Sequence, residues 1–591
     1  MKKISSIILS ALMGGAVLTT TSCGDFLDQE SDRVIYADND HLNNASDTLY
    51  SVTGIMNKMQ ALADRTILLG ELRGDLVDVL NNTSADLREI SNFDISSDNP
   101  YNSPRDYYAV INNCNYFIAK ADTALKNNRN EYVFRKEYAA VKAYRAWTYL
   151  QLALNYGKVP LVTTPVLTKD DADRNYDMYD IKGICEYFIN DIAPYAEVEV
   201  PAYGTIRGND SRLFYFPIYV LMGDMNLWAG NYRQAALCYY KYISTSRGAN
   251  VALPVQKRAV TWLKGDSKWM LTSDTWSLAC MGSNCEAYGT YDLITEIPGD
   301  SIPSEGNYSQ LRNLFNSNND NNYQVSLVPS QQMYDLSAAQ KYCHINSTGD
   351  VVYAPSGLSD NQSGDLRLQS YFTDYSSKGL SMFVNGKKVE NYVGNQKHSS
   401  QNVHIYRNTM VYMRLAEALN RAGFPRLAFA FLKTGVNNDI IDGLLEYYPD
   451  DEAFLKQFDF PTNRYILRTK GDNTDENTIG IHSHGCGWTE YNDYYVYPER
   501  ESLAEEEDAV EDLIVDEDAL EFSFEGTRFY DLMRVALRRN DPSYLANRVY
   551  ARRGDSKAAE MKSVIKKNLL DTSSWYLNWN GKIGLGTTSQ Q

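Results

Sequence analysis

The sequence lacks several features that would assign it to common functional classes. Beyond the first two dozen residues, no apolar run approaches the roughly 18 to 20 residues that a membrane-spanning helix requires. There is no Gly-x-Ser-x-Gly turn for a nucleophilic serine and no Gly-Lys-Ser/Thr loop for phosphate, and no cofactor is predicted. Basic residues are outnumbered, giving a net charge of −18. Phosphate backbones repel so acidic a chain, which argues against nucleic acid as a partner.

Cysteines are also few, with 8 in 591 residues. Seven lie beyond the N-terminal region, and an odd number scattered so widely is not a disulfide framework. Cys280 and Cys285 are close enough in sequence either to bridge a loop or to remain reduced. The others are expected to behave as small buried apolar residues. They are Cys114, Cys185, Cys238, Cys343 and Cys486.

The N-terminus has the pattern of a secretion signal. Residues 1–22 begin with Lys2 and Lys3, continue through an apolar centre and end in small polar residues before Cys23. This pattern predicts a cleaved signal peptide, and the position of Cys23 predicts a lipidation site. Because each buried acyl methylene contributes about 0.8 kcal/mol, several acyl chains on one cysteine would hold a large protein on a membrane.

The most distinctive stretch is a helix followed by an extended exit at residues 137–165. Its apolar residues recur at spacings of three and four, which places them on one side of a helix. Gly157 suits a helix C-terminus, and Pro160 stands where the helix cannot continue. The apolar positions are Ala140, Ala143, Trp147, Leu150 and Leu154.

Similar helical periodicity fills two separate blocks of the chain. One pair of helices meets at Trp228, Gly230 and Tyr232, which resembles a tetratricopeptide turn, and residues 413–424 repeat the pattern. Without a clean 34-residue period, unrelated antiparallel helix pairs remain an alternative. The helices predicted in the first block are 42–62, 105–127, 132–156, 178–195, 211–229 and 232–243, and the second block covers 406–432 and 509–539.

Two irregular stretches interrupt these helices. Residues 247–402 are rich in Gly, Ser, Asn and Asp and are expected to form loops with short strands and helices, while residues 439–500 carry many tyrosines. Loops on a rigid scaffold are where binding groups concentrate, so these stretches are the expected ligand surface.

Charged residues at helical spacing favour structural roles over catalytic ones. Glu525, Arg528, Asp531 and Arg534 recur every three residues, which predicts an ion-pair ladder on one helical face. The acidic run at 505–518 is expected to be the solvated face of a helix.

One cluster has the residue types of a metal site. His482, His484 and Cys486 alternate in a glycine-rich stretch, and imidazole and thiolate both suit zinc. A structural zinc site normally has a fourth ligand and paired spacing, and neither is visible in the sequence. The cluster is therefore interpreted as a polar turn, and no metal is predicted.

Two segments resemble signatures of the SusD/RagB family, the surface lipoproteins that partner TonB-dependent transporters in Bacteroidetes. The first is the alanine-rich helix with Arg145, Ala146 and the Tyr-Gly and Val-Pro-Leu exit at 156–161. The second is the Glu-Gly-x-Arg-x-x-Asp-x-x-Arg pattern at 525–534. Shorter matches are the Cys-Gly-Asp-Phe-Leu-Asp start at 23–28, Glu71, Arg73 and Asp75 in an early turn motif, and Asp365 with Arg367.

The resemblance implies a mostly α fold, in which tetratricopeptide-like helix pairs form a scaffold with large irregular loop insertions. It implies a non-catalytic lipoprotein on the cell surface, anchored in the outer membrane, that binds a nutrient and acts as the lid of a SusC-like TonB-dependent transporter. The predicted regions are a signal peptide (1–22), an N-terminal helical region (23–246), an irregular insertion (247–402) and a C-terminal helical region (403–591) with a loop insertion at 439–500.

Family members that bind glycans use an arc of aromatic rings, because sugar C–H faces stack on flat surfaces. The cargo is expected to be an oligosaccharide, with a peptide as the alternative, and a secreted glycoside hydrolase or lyase is the rival function. No catalytic residue is assigned. The candidate ligand-binding residues are Tyr101, Trp262, Trp269, Trp276, Tyr288, Tyr291 and Tyr323.

Overall fold

A computed structural model describes most of the chain. The described residues are 42, 47–206, 208–245, 260–263, 268–271, 292–299, 309–317, 325–345, 348, 351–354, 364–365, 367–374, 381–384, 387–390, 392–460, 480–486 and 493–585. The predicted signal peptide, Cys23, Cys280 and Cys285 lie outside them. In the described part, no helix combines the length and the apolar character needed to cross a membrane.

The N-terminal elements are mainly helical. The helices are α1 (Asp47–Leu72), α2 (Ala85–Ser91), α3 (Pro104–Lys120), α4 (Arg135–Tyr156), α5 (Lys169–Asp173), α6 (Ile181–Ile192), α7 (Ile218–Ala229) and α8 (Tyr232–Thr245). The strands are β1 (Val77–Val79), β2 (Val159–Pro160), β3 (Met178–Tyr179), β4 (Thr205–Ile206) and β5 (Asn209–Asp210).

The middle of the chain contains short strands with a few short helices, as expected for the 247–402 stretch. The strands are β6 (Val260–Leu263), β7 (Lys268–Leu271), β8 (Leu293–Ile297), β9 (Leu327–Pro329), β10 (Tyr342–Ile345), β11 (Val351–Ala354), β12 (Phe372–Asp374), β13 (Ser381–Val384), β14 (Lys387–Glu390), β15 (Val393–Asn395) and β16 (Val403–Arg407). The helices are α9 (Leu311–Phe315), α10 (Gln331–Ala339) and α11 (Arg367–Tyr371).

The C-terminal part is helical again, which confirms the mostly α fold class. Its helices are α12 (Asn408–Arg421), α13 (Pro425–Lys433), α14 (Asn438–Leu444), α15 (Glu452–Leu455), α16 (Leu503–Phe522), α17 (Arg528–Arg538), α18 (Ser543–Tyr550) and α19 (Ala558–Val564). The region boundaries after residues 22, 246 and 402 stay predictions.

Helix α4 lies at the centre of the N-terminal packing. Ala143 and Trp147 are fully buried, and the Trp147 ring stacks on Phe216 with 4.7 Å between centroids. The helix ends at Gly157, whose φ of +74° favours glycine, and Pro160 continues into β2. The predicted helix and its end are therefore confirmed, and α4 packs against α3 and α6.

The helix pairs turn at glycines, as the sequence indicates. Gly230 adopts the left-handed conformation between α7 and α8, and Gly423 has a φ of +96° between α12 and α13. Helix α12 also packs on α8, which brings the two pairs together. The predicted helix at 211–229 is wrong at its start, because the chain forms a short 3₁₀ turn there and α7 begins only after Pro217.

Paired strands connect distant parts of the chain. β1 pairs with β9, and β8 pairs with β16, both antiparallel. In the part of the chain that the structure describes, every sheet has two strands, so each sheet joins only two segments of the chain.

Replacement of Ala143 by Leu is predicted to destabilise the fold. Ala143 has no exposed surface, so added methyl groups would force α4 away from its neighbours and cost about 1–3 kcal/mol of unfolding free energy. Urea unfolding measures the loss. The matched control is Ala559→Leu on the exposed side of α19, which should change stability by less than about 0.5 kcal/mol. Equal effects of the two substitutions would contradict the burial of α4.

Candidate functional site

The aspartates of the sequence motifs are buried and paired with arginines, so they are structural. Arg528 donates to Asp75 with Nε–Oδ1 at 2.6 Å, and Arg534 donates to Glu417 with Nη2–Oε2 at 2.6 Å. Asp531 contacts Arg534 at 2.8 Å. A carboxylate held in this way cannot reach a substrate, which confirms the structural interpretation of the motif.

The geometry of that motif differs from the predicted ladder. Glu525 precedes α17 and pairs with Arg407 and Lys397, each at 2.7 Å, instead of with Arg528. Arg407 also donates to Asp292 and Glu521, at 2.8 and 2.9 Å. Most partners lie more than 100 residues apart, so spacing within one helix predicted the Asp531–Arg534 pair but not the partners of Glu525 and Arg528.

A second group of buried charges surrounds Arg367. Its guanidinium donates to Asp365 at 2.7 Å, to Glu517 at 2.5 Å and to Glu521 at 2.9 Å. Burial would raise the pKa of Glu517, but Arg367 and then His482 outweigh it and lower the pKa to about 2. We name these residues and the Arg407 group together the central charge cluster.

The prediction that the acidic run 505–518 forms the solvated face of a helix is only partly correct. Helix α16 exposes one face, but Glu511 and Glu517 are at most 1% exposed. Glu511 contacts Arg421, Arg538 and Arg539. An acidic sequence run therefore faces solvent on one side and buried arginines on the other.

The two histidines of the proposed polar turn contact the same cluster. Nδ1 of His482 lies 2.7 Å from Glu517, and Nδ1 of His484 lies 3.1 Å from Glu521. The His482 ring also stacks on Tyr342 and Tyr495. Among the residues that the structure describes, no group of three or more His, Cys, Asp or Glu is placed to hold a metal ion.

One predicted ligand residue, Tyr101, lies on a loop that is rigidly held. We name residues 92–103 the Tyr101 loop. Asn99 donates from Nδ2 to Asp86 O and Glu89 Oε2, at 2.9 and 3.0 Å, and accepts from the Tyr101 N–H at 3.0 Å. Arg65 donates to Pro100 O at 2.9 Å. The loop is therefore preformed, which lowers the entropy cost of binding.

The ring of Tyr101 is partly buried among acids. Burial, followed by the charges of Asp64 and Asp86, raises the pKa of Tyr101 to about 12, so the phenol stays neutral and can donate a hydrogen bond. Ser97 and Asp98 are exposed on the same loop. Tyr101 therefore shares its loop with exposed hydroxyl and carboxylate groups, and a flat ring with a polar tip suits contact with a sugar.

Of the other six candidates, the structure describes two. Trp262 and Trp269 lie in strands β6 and β7, not in loops, and are register partners. Trp276, Tyr288, Tyr291 and Tyr323 lie outside the described residues.

Sequence reasoning missed a cleft that five segments build together. It has a volume of about 700 Å³ and lies between the start of α4, the 196–202 loop, the Arg212–Tyr219 stretch, the end of α8 and β8. Its charged residues are Lys136, Glu197, Glu199 and Arg212. No local pattern in the sequence marks it, because its walls come from residues up to 158 positions apart.

The sequence matches no protein-family model and no curated protein. A SusD superfamily protein from Bacteroides vulgatus is 14% identical, with a TM-score of 0.54 over 91% of this chain and 96% of that one. The chain has the SusD fold.

Two further structures with the SusD fold are similar. A SusD-like carbohydrate-binding protein from Bacteroides fragilis is 12% identical, with a TM-score of 0.53 over 84% of this chain and 88% of that one. A laminarin-binding SusD-like protein is 15% identical, with a TM-score of 0.51 over 90% and 96%. These proteins are described as binding proteins rather than enzymes.

Glu71 makes the fold sensitive to pH. Its Oε1 accepts from the Gly526 N–H at 2.7 Å, and burial raises its pKa from 4.5 to about 7. The folded state therefore binds the proton more tightly than the unfolded state, and this stabilisation is present below pH 4.5 and lost as the pH rises through 7.

Glu71→Gln should remove that pH dependence, because the amide keeps the acceptor without the charge. We expect the difference in melting temperature, variant minus unmodified protein, to be larger at pH 8 than at pH 5. Thermal unfolding at both pH values measures it, with the exposed Glu131→Gln as the control. A constant difference between variant and parent at the two pH values would show that Glu71 does not titrate in this range.

Proposed function

We propose that this protein is a surface lipoprotein that binds an oligosaccharide and passes it to a TonB-dependent outer-membrane transporter, for which it acts as the lid. The observation that carries the proposal is the SusD fold, shared over most of both chains with proteins described as binding carbohydrate or laminarin. The signal-like start and Cys23 support display on the outer membrane.

The Tyr101 loop is the proposed contact for the sugar. Its backbone is fixed by Asn99 and by Arg65, so the ring is presented in one position. Loss of side-chain freedom on binding is small for a tyrosine that is already packed against the core. The laminarin-binding relative makes β-1,3-glucan the first ligand to test.

The buried charges favour binding over hydrolysis. A glycosidase needs two carboxylates that face each other across an accessible cleft, about 5 to 10 Å apart. Asp75, Glu417 and Glu521 are instead at most 2% exposed and contact arginines. These acids stabilise the scaffold.

A peptide cargo is the alternative in which the protein is still the lid of a transporter.

Tyr101→Ala is predicted to weaken binding of laminari-oligosaccharides by about threefold to tenfold, the factor that corresponds to roughly 0.7–1.4 kcal/mol of lost aromatic contact. Isothermal titration measures the dissociation constant. Tyr132→Ala removes an exposed tyrosine elsewhere and is the control. If the unmodified protein binds peptide mixtures and no glycan, the sugar assignment is wrong; release of reducing ends from laminarin would favour the hydrolase.

Cys23→Ala is predicted to release the protein from the membrane without changing its affinity for ligand. The substitution removes the only proposed acylation site and leaves the described body unaltered. Fractionation of cells into membrane and soluble pools measures the change, with deletion of the proposed partner transporter as a comparison that should abolish uptake but not binding. Retention of the Cys23→Ala protein in the membrane pool would contradict lipid anchoring.

A further inference from the structure

The cleft beside helix α4 has the properties of a second binding site, separate from the Tyr101 loop. Its volume of about 700 Å³ falls within the range of small-molecule sites, about 300 to 1,000 Å³. The floor includes Ala139 and Ala140, where small side chains leave space above the helix, and Phe216 and Ile294. All four are at most 6% exposed, so the floor is fixed by core packing.

The walls of the cleft are held in place by polar contacts. Lys136 at the start of α4 contacts Glu199 on the facing loop at 2.7 Å, but both side chains are exposed and the pair adds little to the attachment of the loop. The Tyr203 hydroxyl donates to Glu137 at 2.6 Å, and the Tyr203 N–H donates to Ser211 Oγ at 2.8 Å. The loop that forms one wall is thus attached to the helix that forms the floor.

The charged groups of the rim already have partners. Lys136 pairs with Glu199 at 2.7 Å, and Arg212 pairs with the adjacent Asp210 at 2.5 Å. The Tyr219 hydroxyl donates to Glu197. A charged ligand would have to compete with these partners, whereas a neutral molecule with several hydroxyls can donate to the carboxylates and accept from the cations without displacing them.

We propose that this cleft binds a short neutral saccharide, of one or two sugar units, with an apolar C–H face on the alanine floor and hydroxyls toward the charged rim. The sugar class rests on the proposed function, while the size and neutrality of the ligand come from the cleft. The site would hold a small fragment and is distinct from the surface on which a long oligosaccharide contacts Tyr101.

Ligand-observed NMR with a defined panel tests the proposal. The neutral probes are glucose, mannose, N-acetylglucosamine and laminaribiose, and the charged probes are glucuronic acid and glucosamine. Ala202, an exposed residue of the cleft wall, is replaced by Trp to fill the space, and Ala559→Trp is the matched control on α19. We expect saturation transfer to at least one neutral sugar that falls about tenfold in Ala202→Trp and survives in Ala559→Trp and Tyr101→Ala.

A second variant tests the charge balance without filling the cleft. Glu199 has an 81% exposed side chain, so Glu199→Lys should fold normally and leave the rim positive. It is expected to gain binding of glucuronic acid and to lose preference for the neutral probes. Unchanged preference in this variant would overturn the charge argument.

The two proposals fail separately. Loss of small-sugar binding in Tyr101→Ala but not in Ala202→Trp would place all sugar binding on the Tyr101 loop and overturn the cleft proposal alone. Absence of binding by every neutral probe would also overturn it, while titration with long oligosaccharides would still decide the proposed function.

Discussion

The ion pairs of Arg407 with Asp292, Glu521 and Glu525 join three parts of the chain that are distant in sequence. Lone charges in a protein interior are very unfavourable, and removal of one partner of a buried pair typically costs about 3–5 kcal/mol. The strand β16, the residue Asp292 just before β8, and the turn between α16 and α17 must therefore meet in one arrangement. The loops of the central region are attached to the helical scaffold through this requirement.

Close backbone contact between Gly70 and Gly526 brings α1 against the turn before α17. Gly526 has a φ of +85° and lies against the Thr66–Ile67 segment, and a Cβ on Gly70 would stand 1.8 Å from Gly526 O. Larger residues at either position would separate α1 from the turn. This contact lets Glu71 reach the Gly526 N–H. The motif that begins at Glu71 therefore packs directly against the motif at 525–534.

Sequence patterns predicted local structure well and long-range pairing poorly. The ends of α4 and of the helix pairs follow from Gly157, Gly230 and Gly423, because positive φ is a local property. The partner of Glu525 does not, because Lys397 lies 128 residues away and no spacing rule connects them. Likewise, Tyr101 was identifiable as an aromatic residue in a loop, but the cleft beside α4 depends on how five segments pack. A helix pattern also could not show that α16 turns Glu511 and Glu517 inward, since the buried arginines come from other helices.

The structure thus contains a scaffold in which charges pair internally, together with the Tyr101 loop and the cleft beside α4. A crystal structure of the protein soaked with a laminari-oligosaccharide tests the assignment of sugar binding to the Tyr101 loop most directly. The account predicts an uncleaved chain of sugar units with one ring against Tyr101. Cleaved product beside a pair of carboxylates, or a ligand bound with no contact to residues 92–103, would contradict it.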